Sequence, residues 1–304
     1  MTPLTERPLT AENAAGLQAL LREPGLVGSY EQISRPAGVL DLLADPHLDH
    51  AGARVAYADG AAVGFRLPVV FAGDEPRWAL LMLGVAERWR RRGIGSVLLA
   101  RARERLRAHP DAPPRELCVA GWLPNAAAEG FAARRGFRPA RTFWLMERPL
   151  GGAPQPAWPA DVEIRAYDGS EAALADWTEA YNDSFAQHYH FVPATLEYTR
   201  SLVAQGLFEP EALLLAYRGG RCVGYVRSLR LEERGEVGIL GVVSEARGIG
   251  LGRALLRASV RWLEERRAPR VTLMVDGDNE NALRLYRQEG FAVARTRQIW
   301  SREP

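Results

Sequence analysis

The sequence predicts an α/β (α+β) protein made of two tandem domains, each a mixed central β-sheet flanked by helices. Three observations predict it. An apolar, β-branched run over residues 237–243 meets a charged, glycine-rich turn, and a helical pattern follows at Ala254, Leu255, Ala258 and Trp262. The same succession occurs once before, about 160 residues upstream. A Pro/Gly-dense stretch, residues 149–159, separates the copies, and 304 residues suffice for two ordinary domains.

The elements can be justified in order. In the first copy, residues 11–22 form an amphipathic helix with Leu17, Leu20 and Leu21 on one face. A hairpin follows over residues 56–65, turning at Asp59-Gly60, and it matches residues 216–225, which turn at Gly219-Gly220. Leu83-Gly84-Val85 matches Leu240-Gly241-Val242, and Arg90-x-x-Gly93-x-Gly95 matches Arg247-x-x-Gly250-x-Gly252, both at an offset of 157. Asn125, Gly136 and Phe137 match Asn279, Gly290 and Phe291 at an offset of 154, and the final strands align as Ala140-Arg141-Thr142 on Ala294-Arg295-Thr296. The second copy opens with its own amphipathic helix over residues 171–182, carrying Leu174, Trp177 and Tyr181, and residues 271–275 read as a buried strand. The domains are therefore expected at 1–149 and 161–304, with a semi-extended linker over 150–160.

Composition narrows the function. The net charge of +2 does not describe a nucleic-acid surface, and all 39 basic residues are arginine. The Arg88–Arg92 run lies inside a glycine turn, where coenzyme contact or a solvated rim is the expected role. Cys118 and Cys222 sit in apolar strand-like runs, without the spacing of a metal site, and are expected as buried free thiols. No metal is expected. No signal peptide and no apolar span of about 20 residues is present, so the expectation is a cytoplasmic protein, monomer or homodimer, with no membrane or nucleic-acid partner.

The glycine turns carry the chemistry. Glycine lets a ligand approach the backbone closely, and the free N–H groups of the next helical turn favour an anion. The pattern suits a pyrophosphate. A G-x-G-x-x-G dinucleotide fingerprint fails, because Leu255 or Arg253 stands where the third glycine belongs, and a P-loop fails for want of any lysine. The remaining pattern, Arg247-x-x-Gly250-x-Gly252 after an apolar strand, resembles the acetyl-CoA signature of the GNAT superfamily of N-acetyltransferases. Downstream, Asn279-x-x-Ala282-x-x-Leu285-Tyr286-x-x-x-Gly290-Phe291 resembles that superfamily's second signature. The resemblance implies acetyl-CoA as co-substrate and a small-molecule amine as acceptor. It places the pantetheine arm along Leu240, Gly241 and Val242, and the pyrophosphate on Arg247, Gly248, Ile249, Gly250, Leu251, Gly252 and Arg253, with Asn279 at the next helix start. In the first copy the matching residues are Leu83, Gly84, Val85, Arg90, Arg91, Arg92, Gly93, Ile94, Gly95, Ser96 and Asn125.

Acetyl transfer needs an amine that loses a proton, a donor for the oxyanion and a proton for the leaving thiolate. The resemblance gives the last role to Tyr286; a tyrosine simply packed between helix and sheet is the plain alternative. Glu236 begins the central strand, and alternation puts its side chain on one face with positions 238 and 240. Mycothiol synthases, tandem GNAT proteins of similar length, are similar here, with a Glu at the start of the same strand, which implies a base or an acceptor contact. Glu232, Glu233 and Glu245 read as surface turn residues. His188 and His190 follow the first helix of the second copy, where GNAT enzymes wall the acceptor pocket; acceptor contact and ordinary packing are both open. By the repeat offsets, Tyr286 falls on Ala132 and Glu236 on Ala79. The second domain is therefore expected to catalyse by direct transfer, without a covalent enzyme intermediate, while the first binds acetyl-CoA or serves as scaffold. The competing reading is a non-catalytic acetyl-CoA sensor.

Overall fold

Asp59-Gly60 and Gly219-Gly220 turn the chain with positive φ at both central residues, the conformation that matches the twist of a two-residue hairpin. Around these turns the computed structural model describes residues 4–23, 25–26, 30–34, 38–71, 77–110 and 113–304. The chain divides into two units: Met1–Arg141 with Gln298–Pro304, and Thr142–Arg297.

The first unit contains β1 (Thr5–Pro8), α1 (Ala14–Leu21), α2 (Glu31–Ser34), α3 (Gly38–Leu43), β2 (Arg54–Ala58), β3 (Ala61–Phe71), β4 (Trp78–Val85), α4 (Ile94–Arg107), β5 (Glu116–Leu123) and α5 (Ala126–Arg134), and β6 (Arg138–Arg148) begins in it. Strands β1 to β4 pair antiparallel in chain order, and β5 runs parallel to β4. Leu17, Leu20 and Leu21 of α1 are fully buried against Phe65 and Leu67 of β3, as the amphipathic spacing requires.

The second unit repeats this order: β7 (Glu163–Ala166), α6 (Glu171–Phe185), α7 (Leu196–Val203), β8 (Leu213–Arg218), β9 (Arg221–Arg230), β10 (Gly235–Val242), α8 (Leu251–Glu265), β11 (Val271–Asp276), α9 (Glu280–Gln288) and β12 (Ala292–Arg302). Here β7 to β10 are antiparallel and β11 is parallel to β10. Trp177 and Leu174 of α6 are buried on Tyr225 of β9. Both cysteines are buried thiols outside any disulfide, as expected. Among the described residues, no helix is long and apolar enough to cross a membrane.

The units differ from the expected domain bounds in two ways. Residues 143–148 of β6, which close the first repeat, pair antiparallel with β11 inside the second unit, Phe143 opposite Asp276 and Arg148 opposite Val271. The last seven residues of the chain return to the first unit, where Trp300 is buried with Leu81, Leu117 and Phe137. The last strand of each repeat thus contributes to the other unit's sheet. The expected linker is also not free. Gly151 N–H donates to Glu264 Oε1 (3.0 Å), Arg148 donates to the Gly151 carbonyl (3.2 Å), and Ala153 is buried in the second unit's core.

Trp300→Ala should destabilise the first unit by about 3–5 kcal/mol, the usual cost of emptying a large aromatic site. Urea unfolding followed by tryptophan fluorescence checks it; a loss under about 1 kcal/mol would mean that the terminal strand does not complete the first core.

Candidate active site

Each unit has a place where two parallel strands part. β10 pairs with β11 only over Gly235–Val237, and β4 pairs with β5 only over Trp78–Leu80. Beyond those residues β10 runs on to Val242 and β4 to Val85, each ending at the glycine turn. The open strand edge leads directly to the start of a long helix.

Both turns place a left-handed glycine at the start of a helix. Gly248 (φ 82°) and Gly250 (φ 87°) are left-handed, and a Cβ on either would meet nothing within 4 Å. Gly250 is the N-cap of the fifteen-residue α8, and Gly93 (φ 84°) is the N-cap of the fourteen-residue α4. In the first unit Arg91 (φ 63°) stands where the second has Gly248, a conformation that costs a side-chain-bearing residue roughly 1–2 kcal/mol. Asn279 and Asn125 cap α9 and α5 by accepting from Ala282 N–H (3.1 Å) and Ala128 N–H (3.0 Å). Gly290 and Gly136, both left-handed, terminate the same helices.

The motif arginines sit differently from a simple phosphate ligand. Arg247 donates from Nε to the Val242 carbonyl (3.2 Å) and from its terminal nitrogen to the Ser184 carbonyl (3.1 Å). Arg90 repeats this with the carbonyls of Val85 (3.0 Å) and Gly25 (2.9 Å). Arg247 fastens its turn to the end of α6, and Arg90 fastens its turn to the segment after α1. Asp183 adds a second tie by accepting from Ser244 N–H (2.8 Å).

A β-bulge between Val237 and Ile239 corrects the expected alternation along β10. Glu236 lies opposite Leu229, Ile239 opposite Arg227 and Gly241 opposite Tyr225, so these three share the face that carries the Tyr225–Ser184 hydroxyl pair (2.9 Å). Leu240 lies opposite Val226, on the other face, where Ser228 bonds Ser259 of α8 (2.6 Å). Glu236 therefore does not share a face with Leu240. It is partly exposed, with Arg234 donating to its Oε2 (3.2 Å). β4 has no such register shift, so Leu80, opposite Val69, rather than Ala79 holds the position facing that side in the first unit. Neither residue bears a carboxylate.

Tyr286 is buried on α9 beside Phe291, and burial pushes its hydroxyl up to about 12, so it is protonated at neutral pH. Ala132, also buried, takes its place in α5. His188 and His190 are half-buried; His188 lies on Phe185 (ring centroids 4.3 Å apart), which stacks on Tyr181, and His190 stacks on Tyr189 with a left-handed backbone. Glu232, Glu233 and Glu245 are exposed, as expected.

The structure adds residues that the motifs do not name. Tyr225 and Ser184 press on Gly241, where a Cβ would collide with both hydroxyls, whereas the first unit has the Phe65 ring over Gly84. The first unit also holds a cleft of about 470 Å³, lined by Tyr30, Trp89, Leu83–Val85, the glycine turn, Asn125, Arg134 and Arg135. Arg134 and Arg135 were visible in the sequence as the counterparts of Gln288 and Glu289; Tyr30 carries no motif that would have marked it.

The pattern defining the Acetyltransferase (GNAT) family matches residues 20–137 and again 173–291. The chain is 38% identical over 205 residues to a mycothiol acetyltransferase of Thermomonospora curvata, covering 66% of each, and 33% identical over 278 residues to one of Geodermatophilus obscurus, covering 88% of this chain and 83% of that one. It thus spans about two thirds of the first relative's length. A GCN5-related N-acetyltransferase from Sphaerobacter thermophilus superposes with a TM-score of 0.72 at 25% identity, covering 100% of this chain and 97% of that one. A tandem GNAT protein from the clavulanic acid biosynthesis pathway superposes with a TM-score of 0.75 at 20% identity, covering 99% and 98%.

Buried groups, Cys222 and Tyr286 among them, make stability fall in alkali. Burial raises Cys222 to about 11 and Tyr286 to about 12, so the folded chain holds both protons more tightly than the unfolded chain, whose values lie near 8.5 and 10. The stabilisation is complete at neutral pH and is lost as pH rises from about 9 to 12. Denaturant titrations across that range should show the decline, with a shallower slope above pH 10 in Tyr286→Phe; an unchanged slope would mean that Tyr286 is not the titrating group.

Proposed function

The chain belongs to the acetyltransferase (GNAT) family, and from that premise we propose that its second unit transfers an acetyl group directly from acetyl-CoA to a primary amine. The observation that carries this reading is that, among the described residues, only the second unit combines a glycine cradle, an open strand edge, a carboxylate at Glu236 and a buried hydroxyl at Tyr286.

The cradle over residues 247–253 receives the pyrophosphate on the free N–H groups at the start of α8, aided by the helix dipole. Arg247 acts there chiefly by holding the turn. The pantetheine arm pairs along Leu240–Val242, and a strand N–H faces the acyl oxygen as negative charge builds on it. Glu236 takes a proton from the ammonium form of the acceptor, through a water where the distance requires one. The amine nitrogen then bonds to the acyl carbon while the C–S bond breaks, Tyr286 gives its proton to the departing sulfur, and the second proton leaving the nitrogen restores the phenol. A phenol kept neutral by burial is in the state that such a donation starts from. No cysteine lies in either glycine turn, so the reading is a direct transfer rather than a two-step one.

The acceptor side is the face of β10 bearing Glu236, walled by Tyr225, Tyr181, Phe185 and His188. His188 and His190 are proposed as acceptor contacts. The relatives' name, mycothiol acetyltransferase, puts an amine related to mycothiol first among the acceptors to test, followed by amino sugars, aminoglycosides and peptide N-termini. The first unit carries a second cradle without acid or base, and is proposed to bind the coenzyme without turnover.

Coenzyme release should depend on the amine supplied. Tyr286→Phe and Glu236→Gln should each lower kcat by about 10²–10⁴-fold, as loss of a general acid or base does, with KM for acetyl-CoA little changed. Thiol release followed by chromatography of the acylated amine measures this. Full activity in Tyr286→Phe would remove the acid role, and absence of turnover with every amine while the coenzyme still binds would favour a sensor.

A further inference from the structure

The hydroxyl pair beside β10 is a buried polar group that the proposed chemical steps do not use. Tyr225 is fully buried, Ser184 is also buried, and their oxygens lie 2.9 Å apart. Ser184 donates to the Tyr181 carbonyl (3.1 Å), which leaves its oxygen to accept from Tyr225. Burial pushes the Tyr225 phenol well above its ordinary range, so it keeps its proton at neutral pH. The ring is held against Trp177 (centroids 6.2 Å apart) and Tyr181 (6.4 Å). Both hydroxyls occupy the space that a Cβ at Gly241 would need, so they bear directly on the backbone of the strand edge.

Ser184 is also the residue that Arg247 grips. Its carbonyl accepts from Arg247 (3.1 Å), and Arg247 Nε donates to the Val242 carbonyl (3.2 Å). The contacts thus close a ring of Gly241, Tyr225, Ser184, Arg247 and Val242. On one side of the ring is the strand edge proposed to receive the donor. On the other is the last turn of α6, whose Tyr181 and Phe185 are proposed to wall the acceptor. The first unit keeps the arginine half of this arrangement, with Arg90 on the carbonyls of Val85 and Gly25. There Phe65 stands in place of Tyr225 and packs on Gly84 with its ring alone. Filling the space over the glycine therefore needs no hydroxyl, and a buried polar pair costs desolvation that a phenylalanine avoids.

We propose that Tyr225 and Ser184 are positioning residues for acetyl transfer in the second unit: their hydroxyl bond fixes the separation between the strand edge at Gly241 and the end of α6, and so between donor and acceptor. The inference rests on the proposed reading of the second unit as the transfer site. Arg247 and Asp183 tie the helix end to the glycine turn, and the hydroxyl bond ties it to β9 beside Gly241. Ties at two levels stop the helix end from pivoting about the turn. A small shift of the acceptor wall against the strand edge spoils the approach of amine to acyl carbon, while each partner can still bind. The loss is therefore expected in kcat and not in the affinity for the coenzyme.

The test uses the full-length chain with acetyl-CoA and whichever of the amines named above gives the fastest turnover. Tyr225→Phe and Ser184→Ala should each lower kcat about tenfold, with KM for acetyl-CoA within about twofold of the unmodified chain. Ser184→Ala breaks the bond without touching the core ring, so it serves where Tyr225→Phe folds poorly. The two losses should not multiply: the double variant should be about as slow as the slower single one, because both remove the same bond. Thr199→Val is the control. It removes another buried hydroxyl pair of the same unit, Thr178–Thr199 (2.7 Å) between α6 and α7, and should lower the unfolding temperature comparably while kcat stays the same. A kcat within about twofold of the unmodified chain in the folded single variants, losses that multiply in the double variant, or an equal loss in Thr199→Val would each overturn the inference. Absence of turnover with every amine is a separate outcome that removes the proposed activity and this inference together. Turnover that Tyr225→Phe and Ser184→Ala leave intact removes the inference alone.

Discussion

The three-residue pairing of β10 with β11 is the constraint on which the candidate site depends. Backbone N–H and C=O groups must find partners, and a parallel ladder that stops at Val237 leaves the following stretch of β10 without its neighbour on that side. The bulge at Val237/Ile239 belongs to the same departure. It adds one residue to β10 relative to β9 and puts Glu236, Ile239 and Gly241 on the face of Tyr225. The end of α6 then has to be held near the exposed strand, and Arg247 and Asp183 do this through the Ser184 carbonyl and the Ser244 N–H. In the first unit the same parting of β4 from β5 is met from within, by the hydroxyl of Tyr30.

What could be read from the sequence was local. The two-residue hairpin turns, the asparagine caps at 125 and 279, and the glycines closing α5 and α9 all depend on residues within a turn of each other. The helical faces of Leu17, Leu20 and Leu21, and of Leu174 and Trp177, were equally legible, because burial of one stripe is periodic. The exchange of terminal strands was not. Ala140-Arg141-Thr142 and Ala294-Arg295-Thr296 are nearly the same strand, and nothing in either pattern says which sheet it completes. The bulge was illegible for a different reason. One added residue reverses every later side chain along a strand, and Gly238 looks like any other glycine in an apolar run. The role of Arg247 as a clamp on carbonyls required the position of α6, which no motif encodes.

The two glycine turns also differ in charge. In the second unit Glu289 is buried between two arginines, bidentate with Arg257 (2.8 and 2.9 Å) and 3.5 Å from Arg253. Arg253, in the first turn of α8, also bonds Gln288, so its charge is tempered by Glu289 and its donors are partly engaged. The first unit inverts the arrangement. Ser96 stands in place of Arg253 and bonds Arg135, which stands in place of Glu289, and Arg134 stands beside it. That cradle keeps its positive field for the ligand. An enzyme gains nothing from holding substrate and product more tightly than the transition state, since uniform binding slows release without lowering the barrier. A site that only retains a ligand has no such restriction. On the proposed reading, the tempered charge at the start of α8 suits a site that must release its product, and the arginines lining the first unit's cleft, with no carboxylate lining it among the described residues, suit a site that holds its ligand.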